Sequence, residues 1–320
     1  PPPPAAPPPP PALHSVPTRR SSDLLGRFVE NGTPRMQAQL AFRVPGPDLI
    51  PEGLAHDPHS GDFFISSIRN RCILRVREGG ERIPITITDY DRETGLLTIV
   101  VQEVGAPTRR LGELGEGDEI LDLVGPLGEA PDIPSGGHIV GVGGGFGSAA
   151  LLCLMKEMKA RGEKTTVIIG AREKDLLILA DELEGITDNL EICTDDGSAG
   201  FKGFVTERLQ QMIDGGPPGY PDFVISIGPM PMMRAVEKTT RAANVSCTAS
   251  LDPLMIDGTG MCGGCRVTVG GKVMFACVDG PFFDAHEVDF DEAVSRGKMY
   301  VKEEEKAAEC QRSEHHEEAA

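Results

Sequence analysis

Asp257-Gly-Thr-Gly-Met-Cys262-Gly-Gly-Cys265, followed by Cys277 in Phe-Ala-Cys-Val-Asp-Gly-Pro, sets one carboxylate and three thiols in a D-x4-C-x2-C-x11-C pattern. Four such groups can meet only if a tight loop and one returning segment close on the same point. The glycines between them permit positive φ and close backbone approach at little steric cost. Anionic ligands held this way suit an iron–sulfur cluster. Zinc shares the C-x2-C unit, but it usually recruits two short Cys/His pairs, and only one is present here. Free thiols are the blandest alternative. Cys72, Cys153, Cys193 and Cys247 stand apart in apolar contexts and are expected in the core, and Cys310 falls in a polar tail.

A chain of 320 residues suits two or three domains. Its 39 glycines and lack of tryptophan suit a cofactor-binding α/β protein better than a coiled coil. A formal charge of −18 argues against nucleic-acid binding through a basic face. Part of that charge lies in Glu303 to Glu305 and Glu314 to Glu318, expected to be a solvated tail. No signal peptide is evident, and apolar runs such as Ala149 to Met155 are too short to cross a bilayer. Clustered thiols fit a reducing compartment, so a cytoplasmic location is expected, away from membranes.

Six segments are expected. Residues 1–37 are Pro-rich, then aperiodic, and resemble low-complexity or artefactual sequence. Residues 38–71 contain a strand–turn–strand unit, Ile50 to Ile68, like part of one β-propeller blade; a propeller needs several blades to close. Residues 72–135 carry short strands, Cys72 to Val76, Arg82 to Ile87, Leu96 to Val104 and Glu119 to Leu123, of a partial antiparallel barrel. Residues 136–250 alternate strands, among them His138 to Val142 and Asp222 to Ile227, with helices such as Ser148 to Arg161 and Leu176 to Gly185, which predicts a doubly wound parallel sheet. Residues 251–302 form the thiol module and 303–320 the acidic tail.

The first strand of the alternating region runs into Gly141-Val-Gly143-Gly144-Gly145-Phe-Gly147 and then a helix. A Gly-rich turn there lets backbone N–H groups and the helix N-terminus approach a pyrophosphate. A tight turn needing glycine only for packing is the alternative, since the loop is not a strict G-x-G-x-x-G. The second strand ends Gly170-Ala171-Arg172-Glu173, where Arg172 suits a 2′-phosphate and Glu173 a free ribose. NAD(H) and NADP(H) both stay open. Upstream, Arg82-Ile-Pro84-Ile-Thr86 and Gly105-Ala-Pro-Thr108 can serve a flavin's pyrophosphate and ring, or simply form strand surface and a helix cap.

From about Cys72 to Lys302 the chain resembles the FAD/NAD-binding subunit shared by sulfide dehydrogenase and NADH-dependent ferredoxin–NADP⁺ oxidoreductase. That subunit is a relative of the dihydroorotate dehydrogenase electron-transfer subunit. The resemblance is carried by Gly80 to Asp91, Val124-Gly-Pro-Leu-Gly128, the Gly143 to Gly147 loop, Thr194-Asp-Asp-Gly-Ser198, Ile227 to Met233, and Met255 to Pro281. It implies a ferredoxin-reductase fold with a flavin barrel, a nicotinamide domain and a [2Fe–2S] module. It implies FAD contacts at Arg82, Pro84, Thr86, Gly105 and Thr108. It also implies nicotinamide contacts at Gly143, Gly144, Gly145, Gly147, Asp195, Gly228 and Pro229, and cluster ligands Asp257, Cys262, Cys265 and Cys277. Asp257 stands where the dihydroorotate branch carries Cys, and Ala150 where the family's loop carries Pro. The family's first barrel strands have no counterpart before Cys72, so the chain reads as a chimera joined near Arg71 with an incomplete flavin site.

Hydride donors deliver two electrons and an iron–sulfur centre takes one, so a flavin must stand between them. The expected function is an electron relay among NAD(H), FAD and a [2Fe–2S] cluster, serving a larger catalytic flavin/iron–sulfur subunit in a hetero-oligomer. A dihydroorotate dehydrogenase relay subunit is the alternative, and Asp257 argues against it. A zinc-stapled nucleotide-binding module without redox chemistry is the alternative of another class. Met230, Met232 and Met233 are expected to be core packing, and His286 a loop or cap residue rather than a ligand.

Overall fold

The computed structural model describes residues 16–19, 41–43, 53–56, 63–66, 71–75, 82–91, 95–115, 118–120, 122–125, 127–256 and 258–299. The expected acidic tail at 303–320, and all of 1–37 but residues 16–19, lie outside them.

The N-terminal part comprises β1 (Val16–Arg19), β2 (Ala41–Arg43), β3 (Gly53–His56), β4 (Phe63–Ser66), β5 (Arg71–Arg75), β6 (Arg82–Asp91), β7 (Leu96–Ile99), helix α1 (Ala106–Gly112), β8 (Glu119–Ile120) and β9 (Asp122–Val124). Seven strands form one sheet in the order β8-β1-β2-β7-β6-β5-β9, and every neighbouring pair is antiparallel. Its two edge strands follow each other in the chain, β8 ending at Ile120 and β9 starting at Asp122. Alternation along Ile85-Thr86-Ile87 sends the isoleucines to one face, where they join Ile99, Val101, Leu111 and Ile120 in a small core. β3 and β4 pair as a separate hairpin, as the strand–turn–strand pattern predicts.

One expectation is altered here. The sequence leaves everything before Cys72 without a place in the barrel. In the structure Val16–Arg19 pairs with both β8 and β2, and Ala41–Arg43 pairs with β7. Ladders are made by backbone N–H and C=O groups, so the open edge of β7 or β8 accepts an extended segment whatever family its side chains belong to.

The remainder comprises β10 (His138–Gly144), α2 (Gly147–Ala160), β11 (Lys164–Ala171), α3 (Ala180–Ile186), β12 (Asn189–Thr194), β13 (Phe201–Lys202), α4 (Val205–Gly215), β14 (Phe223–Ile227), α5 (Met230–Ala242), β15 (Ser246–Ser250), β16 (Arg266–Val269), β17 (Lys272–Phe275), β18 (Phe282–Asp284) and α6 (Phe290–Arg296). The predicted parallel sheet forms in the order β13-β12-β11-β10-β14-β15-β18, with β18 alone antiparallel. β10 and β14 are buried along their whole length, as continuous apolar strands covered on both faces should be. Leu151, Met155 and Met158 of α2 pack on one face, and Met233 and Val236 of α5 on the other. Gly141 and Gly143 bring α2 close: a Cβ on either would stand 2.9 or 2.8 Å from the Leu151 side chain. α2 also touches the antiparallel sheet, where Lys156 Nζ donates to both Asp89 carboxylate oxygens at 2.8 and 3.0 Å.

At the opposite end of β10, His138 is buried with both ring nitrogens engaged. Nδ1 donates to the Tyr220 carbonyl at 3.1 Å, which leaves Nε2 to accept from the Thr166 hydroxyl at 2.8 Å. Burial lowers its pKa from the ordinary 6.5. The folded state therefore favours the neutral ring, and stability is fully present above the unfolded pKa and lost as pH falls below about 6.5. Thermal unfolding followed from pH 8 to 5 is expected to show this loss, and His138→Gln is expected to flatten that part of the profile.

Candidate functional site

A cleft of about 1220 Å³ opens outside the C-terminal ends of the parallel strands. It sits where the strand order reverses around β10, flanked by β11 and β14, which is where open α/β sheets bind ligands. Its walls come from Gly144 to Gly147 after β10, Ala171 to Glu173 after β11, Asp195 and Asp196 after β12, Ile227 to Pro229 after β14, and Ser250 and Asp252 after β15. Thr86 of β6 and Gln102 complete it from the antiparallel sheet.

The glycines of the loop do different jobs. Gly145 has φ +52° and open space where a Cβ would stand, so its backbone faces the cleft. Gly147 starts α2 against the next strand, and a Cβ there would lie 2.0 Å from the Ile227 carbonyl oxygen. Gly228, at φ +156°, crosses Gly144 with 3.0 Å between the added carbon and the Gly144 backbone. Gly143 is a packing position under Leu151 and is not on the cleft wall. Of the predicted nicotinamide contacts, the cleft thus brings together Gly144, Gly145, Gly147, Asp195, Gly228 and Pro229.

Two backbone bonds set the carboxylates at the cleft rim: Asp195 N–H donates to Ala171 O at 3.1 Å and Asp196 N–H to Arg172 O at 3.2 Å. Asp196 accepts from the Ser198 hydroxyl and amide at 2.6 and 2.9 Å, and the hydroxyl contact leads in lowering its pKa. The Ser198 hydroxyl in turn accepts from Lys174 N–H at 2.8 Å, tying the turn after β11 to the loop after β12. Arg172 and Glu173 both line the cleft and are exposed.

On the antiparallel side the predicted flavin contacts separate. Thr86 lines the cleft, whereas Pro84, Gly105 and Thr108 do not. The Arg82 side chain lies outside the described residues. The Thr108 hydroxyl accepts from the amides of Val104 and Gly105 at 3.2 and 3.0 Å, so it caps α1. Sequence reasoning missed Phe146, Phe204, Thr206, Met232 and Gln102 on the walls. Phe204 is 61% exposed on the wall of the cleft, an unusual place for a phenyl ring, and Gly203-Phe204 at the start of a helix is the available signal. Met233 is core as expected, but Met232 reaches the cleft and fills the space over Gly144. His286 Nε2 forms a hydrogen bond with the Thr240 hydroxyl at 3.0 Å, tying the segment between β18 and α6 to α5.

The thiol loop leads off the end of β15. Gly258, Gly260 and Gly263 all take positive φ, at 70°, 82° and 65°. β16 and β17 pair through a turn at Gly270-Gly271, both again at positive φ, the backbone a two-residue hairpin demands. That hairpin accounts for the eleven-residue spacing: Arg266 lies opposite Phe275, Ala276 N–H donates to Cys265 O at 3.1 Å, and the buried Cys265 and Cys277 sulfurs come within 3.2 Å. Cys262 is exposed, its sulfur accepting from Gly264 N–H at 3.4 Å. Asp257 lies outside the described residues, and among those described no group of three or more His, Cys, Asp or Glu side chains is gathered to hold a metal. Two adjacent thiols with a third on the same positive-φ loop fit the donor chemistry of an iron–sulfur cluster. Cys153 and Cys193 behave otherwise, burial pushing their pKa values up to about 12 and about 11, so they stay protonated in the core. The segment is also moored: Glu129 N–H donates to Gly280 O at 2.6 Å and Leu251 N–H to Pro281 O at 2.9 Å.

Comparison with known proteins agrees with this layout. Residues 252–289 match the family "iron–sulfur cluster binding domain of dihydroorotate dehydrogenase B". The dihydroorotate dehydrogenase B (NAD(+)) electron transfer subunit homolog of Thermotoga maritima is 46% identical over 232 residues, 72% of this chain and 81% of that protein. An uncharacterized protein of Clostridium beijerinckii, from the adh 3′ region, is 46% identical over 242 residues, 73% of this chain and 81% of the other. Among solved structures, a chain of an NADH-dependent reduced ferredoxin–NADP oxidoreductase superposes with TM-score 0.74 at 37% identity, covering 93% of this chain and 97% of that one. The chain belongs to the dihydroorotate dehydrogenase B electron-transfer subunit family, within the ferredoxin-reductase superfamily, and is an oxidoreductase subunit with an electron-transfer role. The named relatives back the dihydroorotate alternative better than the sulfide dehydrogenase assignment put first from sequence. Among the described residues no helix is long and apolar enough to cross a membrane.

Proposed function

We propose that this chain passes electrons between NAD(H), FAD and a [2Fe–2S] cluster on behalf of a larger flavoprotein subunit. The observation that carries this reading is the single cleft that runs from Thr86 and Gln102 on one sheet to Gly145 and Gly228 on the other, and on to Asp252 at the start of the thiol loop. When bound, a flavin supplies the conversion between hydride transfer and single-electron steps. In this reading the antiparallel sheet, with β8 and β9 consecutive in the chain, is the flavin barrel, and residues 136–250 and 251–302 are the nicotinamide and cluster domains. The Gly145 and Gly147 backbone receives the dinucleotide pyrophosphate, with the start of α2 behind it. Asp195 faces the ribose, Thr86 the flavin edge, and Asp257, Cys262, Cys265 and Cys277 hold the cluster. Pro84, Gly105 and Thr108 support the flavin strand and helix rather than line the cleft.

The partner that best suits the named relatives is a dihydroorotate-oxidising subunit. A ferredoxin–NADP⁺ partner is the second reading, favoured by the near-complete superposition on that oxidoreductase's chain and by Asp257 in place of Cys. Leu254, Ile256, Met261 and Val278 expose apolar surface around the thiol loop, where a subunit exchanging electrons would dock. Anaerobic NADH added to the purified chain is expected to bleach flavin absorbance and then produce the electron paramagnetic resonance signal of a reduced [2Fe–2S] centre. Stoichiometric zinc with no flavin would instead favour the non-redox module. Reconstitution with each partner, assayed with dihydroorotate or with ferredoxin and NADP⁺, separates the two readings.

A further inference from the structure

α6 is held in place from several directions. Phe290 and Ala293 are buried, Asp289 caps the helix by accepting from Glu292 N–H at 2.9 Å, and Asp291 pairs with Arg234 of α5 at 2.6 Å. Its last residue, Arg296, therefore has a fixed origin. Nη2 of Arg296 donates to the Gly264 carbonyl at 3.3 Å, and Gly264 lies between Cys262 and Cys265. Nε of the same guanidinium is buried and has no hydrogen-bond partner among the described residues. A buried cationic donor that satisfies only part of its fork is costly unless an anion faces it. Arg296 lies beyond the 252–289 stretch matched to the cluster-binding family.

We propose that Arg296 is a positioning residue for the thiol loop, one that holds the Gly264 peptide and sets a permanent positive charge against the cluster, raising its reduction potential. This rests on the cluster proposed above. With four anionic ligands the oxidised centre is already an anion, and one-electron reduction adds a further negative charge. A nearby guanidinium, protonated at every working pH, favours the reduced form. Partial burial protects that interaction from the salt screening that affects Arg266, which is exposed next to Cys265.

The test is a potentiometric titration of the full chain, read by the paramagnetic signal of the reduced cluster, with iron content measured on the same samples. Arg296→Gln is expected to lower the reduced-to-oxidised ratio at a given solution potential about tenfold, which is about 59 mV for one electron. Arg296→Lys is expected to recover most of that shift, and Arg266→Gln to move the ratio far less. Equal potentials in iron-loaded wild-type and Arg296→Gln chains would overturn this inference alone. So would Arg266→Gln matching the Arg296→Gln shift. If Arg296→Gln fails to retain iron, Arg296→Lys decides: iron at a potential near that of the wild type supports the role of the charge, and loss of iron or a reduced-to-oxidised ratio lowered about tenfold overturns it. A wild-type chain that binds no iron overturns the proposed function and this inference with it.

Discussion

Cys277→Ser is expected to leave the chain with less than about a tenth of its iron, because a neutral hydroxyl replaces the thiolate the metal requires. Cys277 is buried, and its sulfur lies 3.2 Å from that of Cys265, so the change removes half of the closest thiol pair without opening the surface. The hairpin that delivers it remains, since β16 and β17 pair through their own backbone and Ala276 still bonds to Cys265. Metal binding is folding free energy for a small module, so loss of iron should be accompanied by faster proteolysis around residues 251–302. Cys247→Ala is the control. That thiol is buried away from the loop with its pKa pushed up to about 12, and its replacement should leave iron unchanged. Iron and acid-labile sulfide assays decide the matter. Full iron in Cys277→Ser would remove Cys277 from the ligand set, and one zinc with no iron in the parent chain would overturn the iron–sulfur reading.

The parallel sheet was legible because its signals are local. His138 to Val142 and Asp222 to Ile227 read as strands, and the structure has His138–Gly144 and Phe223–Ile227. Helices with strong periodicity, such as Ser148 to Arg161, fall within a residue of their observed ends at Gly147 and Ala160. The helix read from Leu176 starts later, at Ala180, because Lys174–Leu176 forms a short 3₁₀ turn and Leu179 sits at φ 56°. The antiparallel sheet was harder. Which extended segment sits beside β7 is decided by backbone pairing across long loops, and nothing in Ala41-Phe-Arg43 names its partner.

The candidate site divides in the same way. Glycines announce backbone geometry, so Gly144, Gly145 and Gly147 could be read directly, although only the structure separates Gly143, which packs, from Gly145, which faces open space. The thiols announce chemistry, but what unites Cys265 with Cys277 is the β16–β17 hairpin, whose one local signal is the Gly270-Gly271 turn. Phe204 and Met232 looked like ordinary apolar residues. Their place on the cleft wall depends on how the starts of α4 and α5 meet the sheet's C-terminal edge. Arg296 carries no local signal, being nineteen positions past Cys277 on a helix whose angle is set by tertiary packing.

Two glycines two residues apart are expected to fail in opposite ways. Gly147→Ala puts a carbon 2.0 Å from the Ile227 carbonyl oxygen and 2.5 Å from its carbon, both rigid backbone atoms of a fully buried strand. α2 must shift away from β14, and overpacking of this kind costs about 3 kcal/mol. The unfolding midpoint should fall, with nucleotide affinity reduced only as far as the loop is dragged along. Gly145→Val meets nothing within 4 Å of its new Cβ. Its cost to folding is confined to a left-handed residue, φ +52°, about 1–2 kcal/mol. The branched side chain instead projects into the cleft where the pyrophosphate would lie against the Gly145 backbone. NADH affinity is expected to drop about a hundredfold, equivalent to ~2.8 kcal/mol. Calorimetric titration with NADH beside thermal unfolding of both variants gives the comparison. Unchanged NADH binding in a folded Gly145→Val chain would move the dinucleotide off this loop, and the packing explanation of the glycines would then suffice.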